Sequence, residues 1–118
     1  MNIEEFREYC LAKPYTEECL PFGPDTLVFK VAGKVFALVS LDDYERGINL
    51  KCDPERAVEL REQYPAVLPG YHMNKKHWNT VLPDGSLSNA LLQDLIDHSY
   101  MLVLQSLPKK QRQELGIA

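Results

Sequence analysis

Between Pro69 and Val81 the chain reads PGYHMNKKHWNTV, a segment that holds its only Trp, two of its three His and an adjacent Lys pair, with no carboxylate among them. Residues of these types recognise anions. The ammonium groups of Lys75 and Lys76 neutralise phosphates, while the Trp78 indole and the His77 imidazole offer flat surfaces to a base or sugar. Lys30, Lys34 and Lys51 on neighbouring strands and Arg46 in a turn extend the set to a basic face. A blander reading stands beside this one. A single large aromatic in a small domain is usually core, and lysines are usually solvated.

Other chemistry finds little support. Tyr71, His72 and His77 would be the residues of a small enzyme or metabolite binder, but no Cys, Asp or Glu stands at ligand spacing beside the histidines. Neither GxGxxG nor GxxxxGK[ST] occurs, and no Ser-His-Asp or Cys-His order stands out. Asp42, Asp43 and Glu45 read as a solvated acidic turn, and His98 as a structural residue on the margin of the last helix. The expectation is a protein without catalytic residues, cofactor or metal. Cys10, Cys19 and Cys52 are odd in number and lack CxxC spacing, so they read as reduced and structural.

These residues are positioned by a chain of 118 residues, 45% hydrophobic and 25% charged, which is one domain's worth of core. The net charge of -4 conceals an asymmetry: residues 1–62 hold thirteen Asp/Glu against eight Lys/Arg, and residues 63–118 hold four against five. That excludes a uniformly basic surface and leaves only a local patch. No run approaches the roughly 20 apolar residues that span a bilayer, and Met1-Asn2-Ile3-Glu4-Glu5 lacks the regions of a signal peptide. A cytoplasmic protein without membrane contact, monomeric in the simplest case, is expected.

Ile3, Phe6, Cys10 and Leu11 recur at helical spacing between an Asn2/Glu5 capping box and Pro14, predicting a helix over residues 3–12. Thr16–Leu20, Thr26–Val31, Lys34–Ser40 and Ile48–Lys51 read as strands, the second and third joined in a hairpin through Ala32-Gly33. Asp53-Pro54-Glu55 starts a second helix that runs to about Gln63. Pro65, Pro69 and Gly70 make residues 64–73 a loop, His77–Leu82 makes a further strand, and Ser88 caps a long helix that ends at Pro108. Residues 109–118 read as a frayed tail. The order predicts an α+β fold, an antiparallel sheet with three helices packed against it.

In FGPDTLVFKV (22–31), GKVFAL (33–38), NLKCDPE (49–55), PGYHMNKKHWNTV, the DGSL turn and SYMLV (99–103), the chain resembles the MmcQ/YjbR-like family, small bacterial proteins often labelled DNA-binding. The resemblance covers nearly the whole of residues 1–118, and KKHWNTV is its most specific part. It implies an α+β fold whose hairpins project as a double wing, and it brings no catalytic residues. The acidic balance is the one departure that weighs against the label.

The reading that follows is a non-enzymatic module that contacts DNA or another polyanion through Lys75, Lys76, His77 and Trp78 with Lys30, Lys34, Lys51 and Arg46. The rival is a protein-interaction or chaperone-like adaptor, docking a protein partner on the sheet or the long helix.

Overall fold

Asn2 opens the first helix. Its side chain accepts from the Glu5 N–H at 2.8 Å, and Glu5 Oε1 accepts from the Asn2 N–H at 3.1 Å, so two otherwise orphaned donors are satisfied reciprocally. The helix, α1, spans Ile3–Leu11 in this computed structural model, which describes residues 1–70 and 73–117. The Asp53 carboxylate caps α2 (Pro54–Gln63) by accepting from the N–H groups of Glu55 and Arg56, and Ser88 caps α3 (Asn89–Ser106) by accepting from that of Leu91.

Six strands, β1 (Thr16–Cys19), β2 (Thr26–Val31), β3 (Lys34–Ser40), β4 (Ile48–Lys51), β5 (Val67–Pro69) and β6 (Trp78–Val81), form one antiparallel sheet in the order β1-β2-β3-β4-β6-β5. The two-residue turn between β2 and β3 puts both Ala32 (φ 48°) and Gly33 (φ 87°) in the left-handed region, the geometry that matches the twist of a hairpin. The register of this hairpin shifts between Phe29 and Lys30, so that Phe36 becomes an extra residue and points inward next to Ala37.

Alternation along the strands sorts the two faces. Leu27, Phe29, Val39, Ile48, Leu50 and Val81 point to one side, where they bury Phe6 and Cys10 of α1, Ala57 and Leu60 of α2, and the apolar ladder of α3. Phe6 meets Phe29 edge-on with ring centroids 5.5 Å apart. Among the described residues no helix covers the opposite side, which carries the small cluster Val28, Leu38 and Trp78 with Cys19, Val35 and Met73 packed against it.

Two expectations are corrected. Residues 64–73 do not form a loop throughout, because β5 pairs there with the outer side of β6; Pro69 is tolerated since an edge strand has N–H positions that need no partner. Over residues 109–117 the tail is not frayed: Lys109–Glu114 form a short helix, α4, and Leu115 and Ile117 pack on the core, while Ala118 lies outside the described residues. Tyr15 donates to the Leu115 carbonyl at 2.6 Å and Gln111 to that of Ala32 at 3.3 Å, which ties this segment down.

The imidazole of His98 on α3 accepts from the Asp53 N–H at 3.1 Å, a bond that needs an unprotonated Nε2. Burial first, and then the Arg56 guanidinium, lower the pKa of His98 against the opposing pull of Asp53 and Asp94. A folded pKa below the unfolded value favours the neutral form in the native state. The stability this contributes is complete above the unfolded value of about 6.5 and is lost as pH falls through the folded one. The melting temperature is therefore expected to drop between about pH 7 and 5 more steeply than that of His98→Gln, which can accept the same bond without titrating. Equal slopes would exclude His98 as the group.

Candidate functional site

The helix-free face carries two of the three strand lysines, Lys30 and Lys51. Lys30 stands on β2 with Glu17 of β1 and Val35 of β3 as its register neighbours, and Lys51 on β4 lies opposite Trp78. Two strand spacings of about 4.8 Å put the Lys30 and Lys51 backbones about 10 Å apart. Lys34 follows the hairpin turn at the same end of the sheet and is exposed, but it pairs with core-facing Val31 and so stands on the helix side of the strand, at the tip of the hairpin.

Lys75 and Lys76 join this end through a turn built by Asn74. Its side chain accepts from the Lys76 N–H at 3.0 Å, and its carbonyl accepts from the N–H groups of His77 and Trp78. The His77 carbonyl in turn accepts from the Cys52 N–H at 2.8 Å, stitching the turn to the end of β4 beside Lys51. Both lysines are exposed. Gly70 supports the same corner: its N–H donates to the Trp78 carbonyl, and a Cβ there would stand 2.9 Å from the Trp78 backbone oxygen.

Not every expected residue takes part. Trp78 is only 9% exposed and packs with Val28 and Leu38, so its ring is a floor of the face and presents no stacking surface for a base. Arg46 precedes β4, whose first residue pairs with Val39 near the far end of β3, and so lies at the end of the sheet opposite Lys34 and Lys51. It faces Asp43 at 3.4 Å with its side chain 80% exposed. His77 is partly buried at the start of β6, whereas Tyr71 and His72 fall outside the described residues.

Charge is divided between the two sides of the sheet. Among the described residues, Glu17 is the one carboxylate on the strands of the open face, and none of Lys30, Lys34, Lys51, Lys75 or Lys76 forms an ion pair. The acidic surplus lies on three of the helices, with Glu4, Glu5 and Glu8 on α1, Glu55, Glu59 and Glu62 on α2, and Asp94 and Asp97 on α3, whereas α4 is basic. Asp97 is held by Lys13 and Tyr9, and Asp94 by Arg56.

The thiols offer no nucleophile in the core. Burial pushes Cys10 up to about 12 and Cys52 up to about 11. Among the described residues no group of three or more His, Cys, Asp or Glu could hold a metal ion.

The open face also holds a groove that sequence reasoning missed. It encloses about 640 Å³ at the Arg46 end, with walls of Phe22, Leu38, Leu68 and Met73. Thr26, Ser40, Asn49 and Thr80 supply its polar groups. The register explains the convergence, since Thr26 pairs with Ser40, and Leu38, Asn49, Thr80 and Leu68 form one row across four strands. The signal available was the polar residues Thr26, Ser40, Asn49 and Thr80 at outward strand positions, together with an aromatic in the PFGPD turn.

A single antiparallel sheet with helices on one side and a cationic, uncovered face on the other defines a small α+β domain. The family model YjbR matches residues 11–102, and the chain belongs to the YjbR family. It is 44% identical over 112 residues to the uncharacterized protein YbdF of Escherichia coli O157:H7, covering 95% of this chain and 92% of that protein. It is 37% identical over 115 residues to the uncharacterized protein YjbR of Escherichia coli K12, with 98% of each covered. The crystal structure of Deinococcus radiodurans protein DR2400 is similar with a TM-score of 0.92 at 40% identity, covering 99% of this chain and 89% of that one. A Pseudomonas syringae protein of 34% identity gives a TM-score of 0.75 over 87% of this chain and 99% of its own. No helix among the described residues is long and apolar enough to cross a membrane.

Proposed function

We propose that this protein is a non-enzymatic binding module whose open sheet face takes a polyanion, DNA, on the end marked by Lys30, Lys34, Lys51, Lys75 and Lys76. One observation carries the reading: five lysines without an ion pair among the described residues gather at one end of the sheet, Lys30 and Lys51 on the face whose strands hold a single carboxylate. Lysines left without protein partners can neutralise the regularly spaced phosphates of a duplex and release the cations condensed on it. The carboxylates of α1, α2 and α3 repel the same backbone and orient the domain with its open face inward. Trp78 acts beneath this surface as support, and His77 holds the Lys75–Lys76 turn against β4 through its carbonyl.

Labelled duplex DNA titrated at several salt concentrations tests it. Five neutralised phosphates give a slope of log affinity on log salt of about -4.5, and Lys75→Ala with Lys76→Ala reduces that slope by about 2 and weakens binding roughly 10- to 100-fold. Salt-insensitive binding, or a double variant that binds as the parent does, refutes the reading. A stoichiometric protein partner combined with no duplex binding at low salt would favour the adaptor role instead.

A further inference from the structure

The groove at the Arg46 end does not belong to the lysine surface, and its chemistry is different. A volume of about 640 Å³ is the size of a small-molecule site, where lysine patches are flat. Phe22, 70% exposed at the rim, and Leu68, 39% exposed, are apolar surfaces facing water, a cost that an apolar ligand body would remove.

The polar groups of the groove are unspent in a particular way. Thr80 Oγ1 donates to Asn49 Oδ1 at 2.8 Å, which orients the Asn49 amide and leaves both hydrogens of its nitrogen without a partner among the described residues. The Arg46 guanidinium donates no hydrogen bond there; Asp43 faces it at 3.4 Å in an exposed pair of the kind that contributes little. The Thr26 hydroxyl has no hydrogen-bond partner among the described residues, while that of Ser40 is already given to Asp42. Free donors on one cation and one amide, set beside an apolar wall, fit a planar anion that accepts two or more bonds.

We propose that this groove is a binding site for a small carboxylate with an aromatic or alicyclic body, the ring between Phe22 and Leu68 and the carboxylate toward Arg46 and the Asn49 amide. The sheet holds Asn49 and Thr80 in register, so the donors are fixed before the ligand arrives and little ordering cost remains. Asp43 is the competitor that the ligand carboxylate displaces. The lysine end takes no part, so this inference and the DNA reading stand or fall separately.

Naphthylacetate and its neutral isostere naphthylacetamide provide the test, titrated into the 15N-labelled protein and followed by amide shifts. Saturable shifts are expected at the Asn49 side-chain amide and at the backbone of Ser40 and Thr80, with the amide isostere binding at least fivefold more weakly. Arg46→Gln should weaken naphthylacetate alone about fivefold, Phe22→Ala should weaken both compounds, and Asp43→Asn should tighten naphthylacetate. Lys75→Ala with Lys76→Ala should leave both unchanged. Absence of saturable shifts at these residues, or equal binding of acid and amide, overturns the proposal. So do the same shifts on raising protein concentration without ligand, which would make a second copy of the chain the occupant.

Discussion

Ser99→Ala is expected to destabilise the protein by about 2–5 kcal/mol, because one hydroxyl completes hydrogen bonding at two places where the sheet cannot. The β3–β4 register ends at Ala37 opposite Leu50, so Phe36 and Lys51 lie one step beyond the paired residues. Ser99, fully buried on α3, donates to the Phe36 carbonyl at 2.6 Å and accepts from the Lys51 N–H at 2.9 Å. Deleting the hydroxyl leaves both backbone groups buried and unsatisfied, each costing about 1–3 kcal/mol, with little cavity to relax into. Urea unfolding reads the loss as a lower midpoint at an unchanged slope. Ser99→Thr, which retains the oxygen, should recover part of it if its extra methyl finds room. A loss below about 0.5 kcal/mol for the alanine variant would mean that water replaces the hydroxyl. Because Ser99 anchors the backbone at Lys51, the same substitution is a check on whether the lysine end depends on this splice.

How much of this was legible in the sequence follows from how local each cause is. The capping chemistry of Asn2 with Glu5, of Asp53 before Pro54 and of Ser88 acts within four residues, so those helix starts could be read directly and the structure has them. The Ala32-Gly33 hairpin is equally local. The strand β5 is not, since three residues beside Pro65 and Gly70 carry no periodicity and are extended only because β6 offers them an edge. The placement of β6 between β4 and β5 depends on pairing across α2, which no window of sequence contains. In the tail, charge suggested fraying, but Leu115 and Ile117 find apolar partners that only the folded chain supplies.

The candidate site divides along the same line. The residue types at Lys75 and Lys76 could be read, whereas the joining of that turn to Lys51 rests on a backbone bond from Cys52 to His77. Arg46 was grouped with the lysines because a sequence has no ends of a sheet; the register sets it near the Ser40 end of β3, beside Asn49 and Thr80. Trp78 was an open choice between core and surface, and alternation places it on the open face with its ring nevertheless covered by Val28 and Leu38.

Gly47→Ala should cost about 3 kcal/mol or more and should disturb the groove itself, for two separable reasons. The first is backbone: Gly47 has φ 122° and ψ 162°, a region essentially restricted to glycine, where another residue is strained by about 1–3 kcal/mol. The second is space, because a Cβ at this position would stand 2.5 Å from Thr80 Cγ2 and 3.3 Å from the Val81 carbonyl oxygen. Thr80 can move only by giving up its bond to Asn49, so the clash reaches the donors on the groove floor. Gly85→Ala serves as the control for strain alone, since that glycine also has a positive φ of 86° and open space where a Cβ would go. Thr80→Ser removes the obstructing methyl and keeps the hydroxyl. Combined with Gly47→Ala it should recover the steric share, giving a coupling of about 1 kcal/mol between two residues in contact. Strict additivity of the two substitutions would show that strain at Gly47 is the whole effect and that the approach of Thr80 sets nothing. A coupling accompanied by restored shifts at the Asn49 side-chain amide would show that this one close approach holds the floor of the groove in place.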